Sequence, residues 1–409
     1  MAHVACRRGN ASSGVASGSK HPVPKSLHVV HSLHNPLGGS IHAALGVCRY
    51  LTRAGHVADV AATLEPGDDT SYLAEVYPEV RVRTFPRSFP RRYSNSGALL
   101  EWLSAHLHDY DIVELHSVFT GVALRSARQC RERKKPYLIR PHGSLDPFDL
   151  QKHARLKRIV GPPIIRPALE SASAVLLTSE VEARRLVTFG AKVNKVVLPL
   201  PVSLPTSAGD GARFRREHSI PEGAFIVMFM SRIDYKKGLE FLIPALSDLQ
   251  REFSDLWFVL AGSGDPAFMP SVDRWLGGPG IGSRTSRVGF LSGQDKSDAL
   301  AAAGIFALPS LNENFGIVLI EAMHAGVPLL ISEEVYIQKE IAGHGAGLVC
   351  RSETASISSV LRRMLDGTVD LAQMGGRGRD LVNQRYRPEA ATDLLLATYN
   401  EVLASRPQP

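Results

Sequence analysis

The chain has 409 residues, 44% of them hydrophobic, 21% charged and 7% aromatic, which is enough apolar material for two domains of ordinary size and excludes global disorder or a fibrous protein. Its four cysteines, Cys6, Cys48, Cys130 and Cys350, are far apart with no CxxC pair, so neither a disulfide framework nor a cysteine zinc site is expected and a reducing compartment is the default. The net charge of +7 is uneven: residues 1–203 carry 27 Lys+Arg against 16 Asp+Glu, and residues 204–409 carry 20 against 24.

Residues 1–25 are rich in Ser, Gly and basic residues and lack an apolar core segment, so they read as a flexible tail and not a secretory signal. Leu27 to Leu33 then reads as a buried strand, His34 to Gly39 as a loop, Ser40 to Ala54 as an amphipathic helix and Val57 to Ala62 as the next strand. Within that loop, Gly38 and Gly39 permit close backbone approach, and the helix start offers amide donors to a phosphate. The stretch lacks the full GxGxxG spacing and the acidic residue of a dinucleotide fold, which disfavours a nicotinamide dehydrogenase.

Basic residues cluster from Arg81 to Arg92, from Arg125 to Arg140 and from Lys152 to Arg166. Such runs are either solvated helix faces or contacts to anionic lipid headgroups or a phosphorylated acceptor. No zinc finger, basic zipper or RRM-type aromatic motif is present, so nucleic acid is not an expected partner. Further strands read at Ile112 to His116, Tyr137 to Arg140, Ala174 to Thr178 and Lys195 to Leu198. After the second of these four comes Arg140-Pro141-His142-Gly143-Ser144-Leu145-Asp146-Pro147. A histidine set between Pro and Gly at a strand's carboxyl end is placed to polarise a substrate hydroxyl or to receive its proton, although a lone histidine is more often structural. His116 has a similar address and a weaker case, and Asp146 reads as a turn with Pro147.

A Pro, Gly and Ser-rich segment from Pro199 to Gly211 reads as a linker. Beyond it, strands are expected at Phe225 to Met230, Trp257 to Ala261, Arg287 to Phe290, Gly304 to Leu308, Pro328 to Ile331 and Gly347 to Cys350, separated by helical patterns. Two such alternating halves predict two parallel sheets with right-handed crossovers, facing each other across a ligand-binding cleft. Directly after the first of these strands, Ser231-Arg232-Ile233-Asp234-Tyr235-Lys236-Lys237-Gly238-Leu239 offers Arg232 as a planar fork and Lys237 as a flexible point charge for a diphosphate, with Lys236 facing solvent. Gly262 and Gly264, in Ala261-Gly262-Ser263-Gly264-Asp265, clear space for a sugar-like ligand or simply make a turn.

The densest stretch runs from Pro309-Ser310-Leu311-Asn312-Glu313-Asn314-Phe315-Gly316 through Glu321-Ala322-Met323 to Gly326-Val327-Pro328. Glu313 lies on a loop and Glu321 about two turns into the helix that the loop opens, among apolar neighbours where an unpaired carboxylate is costly. Free amides and the positive end of that helix attract an anionic or polyhydroxylated ligand. No HExxH, nucleophile elbow or DxD pair appears, so a tightly bound catalytic metal is not expected.

From about Leu27 to Leu403 the chain resembles the retaining glycosyltransferases of family 4 (group 1) with the GT-B fold. The resemblance rests on Glu313 and Glu321 with seven residues between them, on Arg232 and Lys237 in the form SRxxxxKGL, and on Gly38-Gly39. It implies an α/β protein with a tail at 1–25, an acceptor-binding Rossmann-like domain at 26–203, a nucleotide-sugar-binding one at 204–384, and a last helix within 385–409 that crosses back to the first. It further implies that Glu321 holds the donor ribose, that Glu313 supports positive charge at the anomeric carbon, and that amides of Asn314, Phe315 and Gly316 hold the sugar hydroxyls. Gly38, Gly39 and Gly262 would lie at the donor, Arg232 and Lys237 would stabilise the departing diphosphate, and His142 would sit at the bond being formed. Family members commonly attack on the face from which the diphosphate leaves, and that phosphate can take the acceptor proton.

Ser231 stands where the family usually has glycine, Asn314 where it has a small residue, and Pro199 to Pro205 lacks the family's Pro-Asn-Gly-Val-Asp stretch; these departures bear on donor identity and hinge geometry. The Arg140 to Pro147 stretch is similar to members that build bacterial exopolysaccharide or lipopolysaccharide. The expectation is therefore a cytoplasmic enzyme, with attachment at the inner membrane face as a further element. It would move a hexosyl group from a nucleotide-diphosphate sugar to a glycan or lipid-linked acceptor, with no tightly bound cofactor. The alternatives are a non-catalytic nucleotide-sugar or membrane-surface binding protein of the same fold, and a sugar phosphorylase or nucleotide-sugar epimerase.

Overall fold

The computed structural model describes residues 24–34, 39–152, 154–205, 207–278 and 280–405. Most of the expected tail, residues 35–38 including Gly38, and His153 therefore lie outside the described residues. Two parallel sheets account for the strands. The first contains β1 (Ser26–Val30), β2 (Ala58–Leu64), β3 (Arg81–Pro86), β4 (Ile112–His116), β5 (Tyr137–Arg140), β6 (Ala174–Leu177) and β7 (Lys195–Val197), in the order β3-β2-β1-β4-β5-β6-β7. The second contains β8 (Phe225–Met230), β9 (Leu256–Ala261), β10 (Thr285–Gly289), β11 (Ile305–Leu308), β12 (Leu329–Ser332) and β13 (Gly347–Cys350), in the order β10-β9-β8-β11-β12-β13. Each sheet reverses direction once, between β1 and β4 and between β8 and β11, and a doubly wound sheet receives ligands at the strand carboxyl ends beside that reversal.

The strands read as near-continuous apolar runs because helices cover both faces. In the second sheet Phe229, Phe258 and Phe306 are fully buried, each contributing roughly 1.5–3 kcal/mol by leaving water. β3 is the strand the sequence did not announce. It lies at the sheet edge beside β2, its side chains are largely exposed, and Arg81 pairs with Asp59 at 2.8 Å. Arginines that read as a basic cluster keep an exposed sheet edge from pairing with another chain.

The first sheet buries an unusual polar set. Register pairs His28 with Glu114 across β1 and β4, and His116 with Arg140 across β4 and β5. Because successive side chains alternate faces, these four residues share one face. That face is covered by the helices Gly39–Arg53 and Pro388–Ala404, whose Leu395, Tyr399 and Val402 join its core. The last helix thus crosses back from the second half, and the Tyr399 hydroxyl donates to Glu114 Oε2 at 2.8 Å. Among the described residues no helix is long and apolar enough to cross a membrane.

Candidate active site

A cavity of about 560 Å³ lies between the sheets. From the first half it is lined by His31, Gly39, His42, Tyr72, Tyr77 and His142 among others, and from the second by Arg232, Lys237, Gly262, Lys296, Glu313 to Gly316, and Glu321. Every site residue expected from sequence therefore falls on one cavity wall or the other, except Gly38, which is outside the described residues.

On the second-half wall, local backbone geometry brings distant charges together. Gly238 adopts φ +71°, and a Cβ there would stand 2.0 Å from the Pro309 carbonyl oxygen. Only glycine permits this approach of the loop after β8 to the loop after β11. Leu311 N donates to the Lys236 carbonyl at 2.7 Å, and Lys237 Nζ donates to Glu313 Oε2 at 2.6 Å. Glu313 is fixed in turn by main-chain bonds to Glu334 and Tyr336. Gly262 has φ +133°, and its missing side chain makes room for the Ser231 carbonyl, which a Cβ would meet at 1.8 Å. The space it clears thus serves the chain's own backbone as well as the cavity.

The helix that follows Gly316 spans Ile317–Ala325, so Glu321 lies just over one turn into it and not two. Its first amides have no intrahelical acceptor and sit on the cavity wall. Glu321 is 5% exposed, and Lys296 Nζ donates to its Oε1 at 2.5 Å. Arg232 has half of its side chain exposed and stands 3.7 Å from Asp234, so its guanidinium is open to an incoming anion. Lys236 does not face solvent: it crosses to the first half and pairs with Asp149.

On the opposite wall, His142 has φ +51°, a costly conformation for a non-glycine residue that the surroundings must enforce. The carboxylate of Glu182, 3% exposed, does so by accepting from Gly143 N at 2.9 Å, from Thr178 N at 2.7 Å and from Thr178 Oγ1 at 2.9 Å. Behind His142 runs a row of imidazoles. His142 Nε2 is 3.0 Å from His116 Nδ1, His116 Nε2 is 3.0 Å from His28 Nδ1, and His28 Nε2 is 3.1 Å from Ser26 Oγ. Burial, followed by neighbouring positive and imidazole groups, pushes His116 and His142 well below the usual histidine range; burial also lowers His28. All three are neutral at physiological pH.

Glu114 stands beside this row. Burial alone would raise its pKa, but Arg140, donating from Nε at 2.7 Å, together with His28 and the Tyr399 hydroxyl holds it below the usual range. Side-chain atoms of His28, Glu114 and His116 lie within 4.8 Å of one another, close enough to suggest a metal site. The Arg140 guanidinium, fully buried against Glu114, already supplies the positive charge that a cation would bring.

The two walls are joined below the cavity. Asp146 caps the short helix Pro147–Gln151 by accepting from Phe148 N at 2.8 Å, and pairs with Arg185 at 2.9 Å. From the second half it accepts from the Tyr336 hydroxyl and, at 3.3 Å, from Asn312 Nδ2. The turn expected at Asp146 is thus also an inter-half clasp.

Sequence reasoning missed Lys296, His42, Tyr72, Tyr77, Glu182 and the His28–Glu114 pair. His28 and Glu114 carried a signal, since each interrupts an apolar strand. Lys296 lies in a helix of mixed polarity and carried none.

Residues 210–380 match the family model described as glycosyl transferases group 1, and residues 38–201 match that described as a glycosyl transferase 4-like domain. The chain is 30% identical over 178 residues to an alpha-D-kanosaminyltransferase of Streptomyces kanamyceticus, covering 43% of this chain and 46% of that one, less than half of the relative's length. It is 24% identical over 372 residues to a phosphatidyl-myo-inositol mannosyltransferase of Mycobacterium leprae, covering 86% and 93%. Anabaena HepE, solved in complex with UDP and glucose, shares the fold at a TM-score of 0.76 with 19% identity, over 92% of this chain and all of that one.

Proposed function

The chain is a group 1 glycosyltransferase of the GT-B fold, and on that premise we propose that it moves a hexosyl group from a nucleoside diphosphate sugar to a glycan or lipid-linked acceptor, with retention at the anomeric carbon. The observation that carries this reading is the cavity itself. Three cations, two carboxylates and a helix start converge on one wall, and a neutral histidine faces them from the other. Arg232 and Lys237 neutralise the diphosphate as its negative charge grows. Glu321 holds the ribose hydroxyls, Glu313 faces the sugar where positive charge develops, and amides of Asn314, Phe315 and Gly316 bind sugar hydroxyls. His142 receives a hydrogen bond from a hydroxyl at the reacting end. No protein nucleophile and no tightly bound cofactor enter this scheme. The similarity of Arg140 to Pro147 to members that build bacterial surface polysaccharides is the support for placing the acceptor in that class.

Sugar transfer, or slow donor hydrolysis, tests the roles. Lys237→Ala and Glu313→Ala are each expected to lower turnover by about 10²–10³, the cost of removing one preorganised charge partner. Full activity in both variants would remove the assignment. A thermal-stabilisation screen of nucleotide sugars, beginning with UDP-glucose, identifies the donor, because a bound donor raises apparent stability by mass action. Strong stabilisation without turnover across acceptors would favour a binding protein.

We also propose that the first half rests on an anionic membrane surface. Phe89 is 92% exposed beside Arg91 and Arg92, and Ile159 is 71% exposed within the helix Ala154–Val160 that carries Arg155, Lys157 and Arg158. Apolar side chains flanked by cations suit the boundary between headgroups and acyl chains. Sedimentation with anionic vesicles at low salt is expected, and its absence removes this element.

A further inference from the structure

We propose that Glu114 and His116 are positioning residues that fix the tautomer of His142, presenting its Nδ1 to the substrate as a bare acceptor. The inference rests on the reading that His142 contacts substrate. It begins from a constraint on neutral imidazoles, each of which has one N–H and one lone pair. In an unbroken row of hydrogen bonds, the direction of any one bond sets all the others.

Two directions are available. In one, the Ser26 hydroxyl donates to His28 Nε2, His28 Nδ1 donates to His116 Nε2, and His116 Nδ1 donates to His142 Nε2. His142 is then left with a proton on Nδ1. In the other, every bond is reversed: His142 Nε2 donates to His116 Nδ1, His116 Nε2 to His28 Nδ1, and His28 Nε2 to Ser26 Oγ.

Glu114 decides between them. Its Oε1 lies 3.5 Å from His116 Nε2, and a carboxylate accepts but never donates. The first direction turns a nitrogen lone pair toward an anion, whereas the second turns an N–H toward it. Both groups are fully buried, where little solvent screens the difference. The far end agrees. Ser26 Oγ can donate to the Val57 carbonyl at 3.4 Å, which leaves its oxygen to accept from His28. Arg140 and Tyr399 then act at one remove, by holding Glu114 ionised and in place.

The consequence lies at the cavity. His142 accepts from a sugar hydroxyl and has no proton to give a phosphate oxygen from its free nitrogen. His116 touches no substrate, so its effect on turnover passes entirely through His142.

The experiment labels histidine with ¹⁵N in the full chain and reads ring protonation by multiple-bond ¹H–¹⁵N spectra, with His142 assigned by its loss in His142→Phe. The ligand-free wild type is expected to show His142 with Nε2 protonated and Nδ1 bare; a protonated Nδ1 overturns the proposal. His116→Leu is expected to mix the two tautomers of His142 and to lower kcat about 10- to 100-fold, part of what a positioned proton acceptor supplies, with donor KM unchanged. His116→Asn can accept in place of Nδ1, and is expected to keep the wild-type tautomer with kcat within about threefold of wild type. A folded His116→Leu with wild-type tautomer and kcat overturns the proposal. If that variant does not fold, the wild-type spectrum still decides. The tautomer is read without any sugar transfer, so an incorrect assignment of the reaction alters only the kinetic arm.

Discussion

The two walls of the cavity solve the problem of holding charge in opposite ways. The second-half wall uses ion pairs that face the cavity, Lys237 with Glu313 and Lys296 with Glu321, each able to exchange its partner for a ligand group. The first-half wall buries its charges, Glu114 and Arg140, behind a neutral histidine. The difference teaches that one wall is built to be rearranged by a substrate and the other to stay fixed while that happens. Catalysis by preorganised groups needs both, because a charge clamp is effective only against a reacting centre held in register.

The sharpest way to break this contrast is to remove one cation from each wall. Arg140→Met leaves Glu114 buried without its counterion, and is expected to cost about 3–5 kcal/mol of stability in a denaturant titration. Lys237→Met leaves Glu313 beside a solvent-filled cavity where it rehydrates, and is expected to cost no more than about 1 kcal/mol. Equal losses of stability would mean that the walls do not differ as described.

A smaller effect is expected where the walls meet. Tyr336→Phe removes one donor to the Asp146 carboxylate while Arg185 and Asn312 remain, so the loss is about 1–2 kcal/mol. Because Tyr336 belongs to the second half and Asp146 to the first, part of that loss should appear as a larger radius of gyration in solution scattering. An unchanged radius together with unchanged stability would show that the clasp holds nothing.

The same contrast explains how much of the molecule was legible in its sequence. Much of the second-half wall is local: Glu313, the turn and Glu321 lie within a single strand-turn-helix, and Arg232 and Lys237 within one loop, so residue spacing marked each group, whereas their meeting with one another and with Lys296 comes from the fold. The alternating halves were equally plain, since buried parallel strands are continuous apolar runs. The first-half wall is non-local. His28, Glu114, Arg140 and Tyr399 meet only through strand register and the return of the last helix, and neither is written in any one segment. β3 was hidden for another reason, because at an exposed edge charge replaces the apolar pattern that marks a strand.

His42 sits where the two walls face each other, and its titration gives the finest measure of the contrast. It lies on the first helix with Nδ1 3.0 Å from the Tyr77 hydroxyl and with the Tyr72 ring beside it, facing Lys296 of the other half. Burial first, and then Lys296, pull its pKa down to about 4 from an ordinary 6.5. Between those values the unfolded chain binds a proton that the folded chain refuses, so stability rises with pH across the window, is complete above 6.5 and is lost as pH falls toward 4. His28, His31, His116 and His142 are shifted in the same direction and leave a slope of their own. His42→Asn keeps a polar group for Tyr77 and removes one titration, so it should flatten the slope by up to about 1.4 kcal/mol per pH unit within that window. Denaturant titrations of both proteins from pH 4.5 to 6.5 make the comparison. Identical slopes would place His42 in contact with water and, with it, open the first-half wall to solvent.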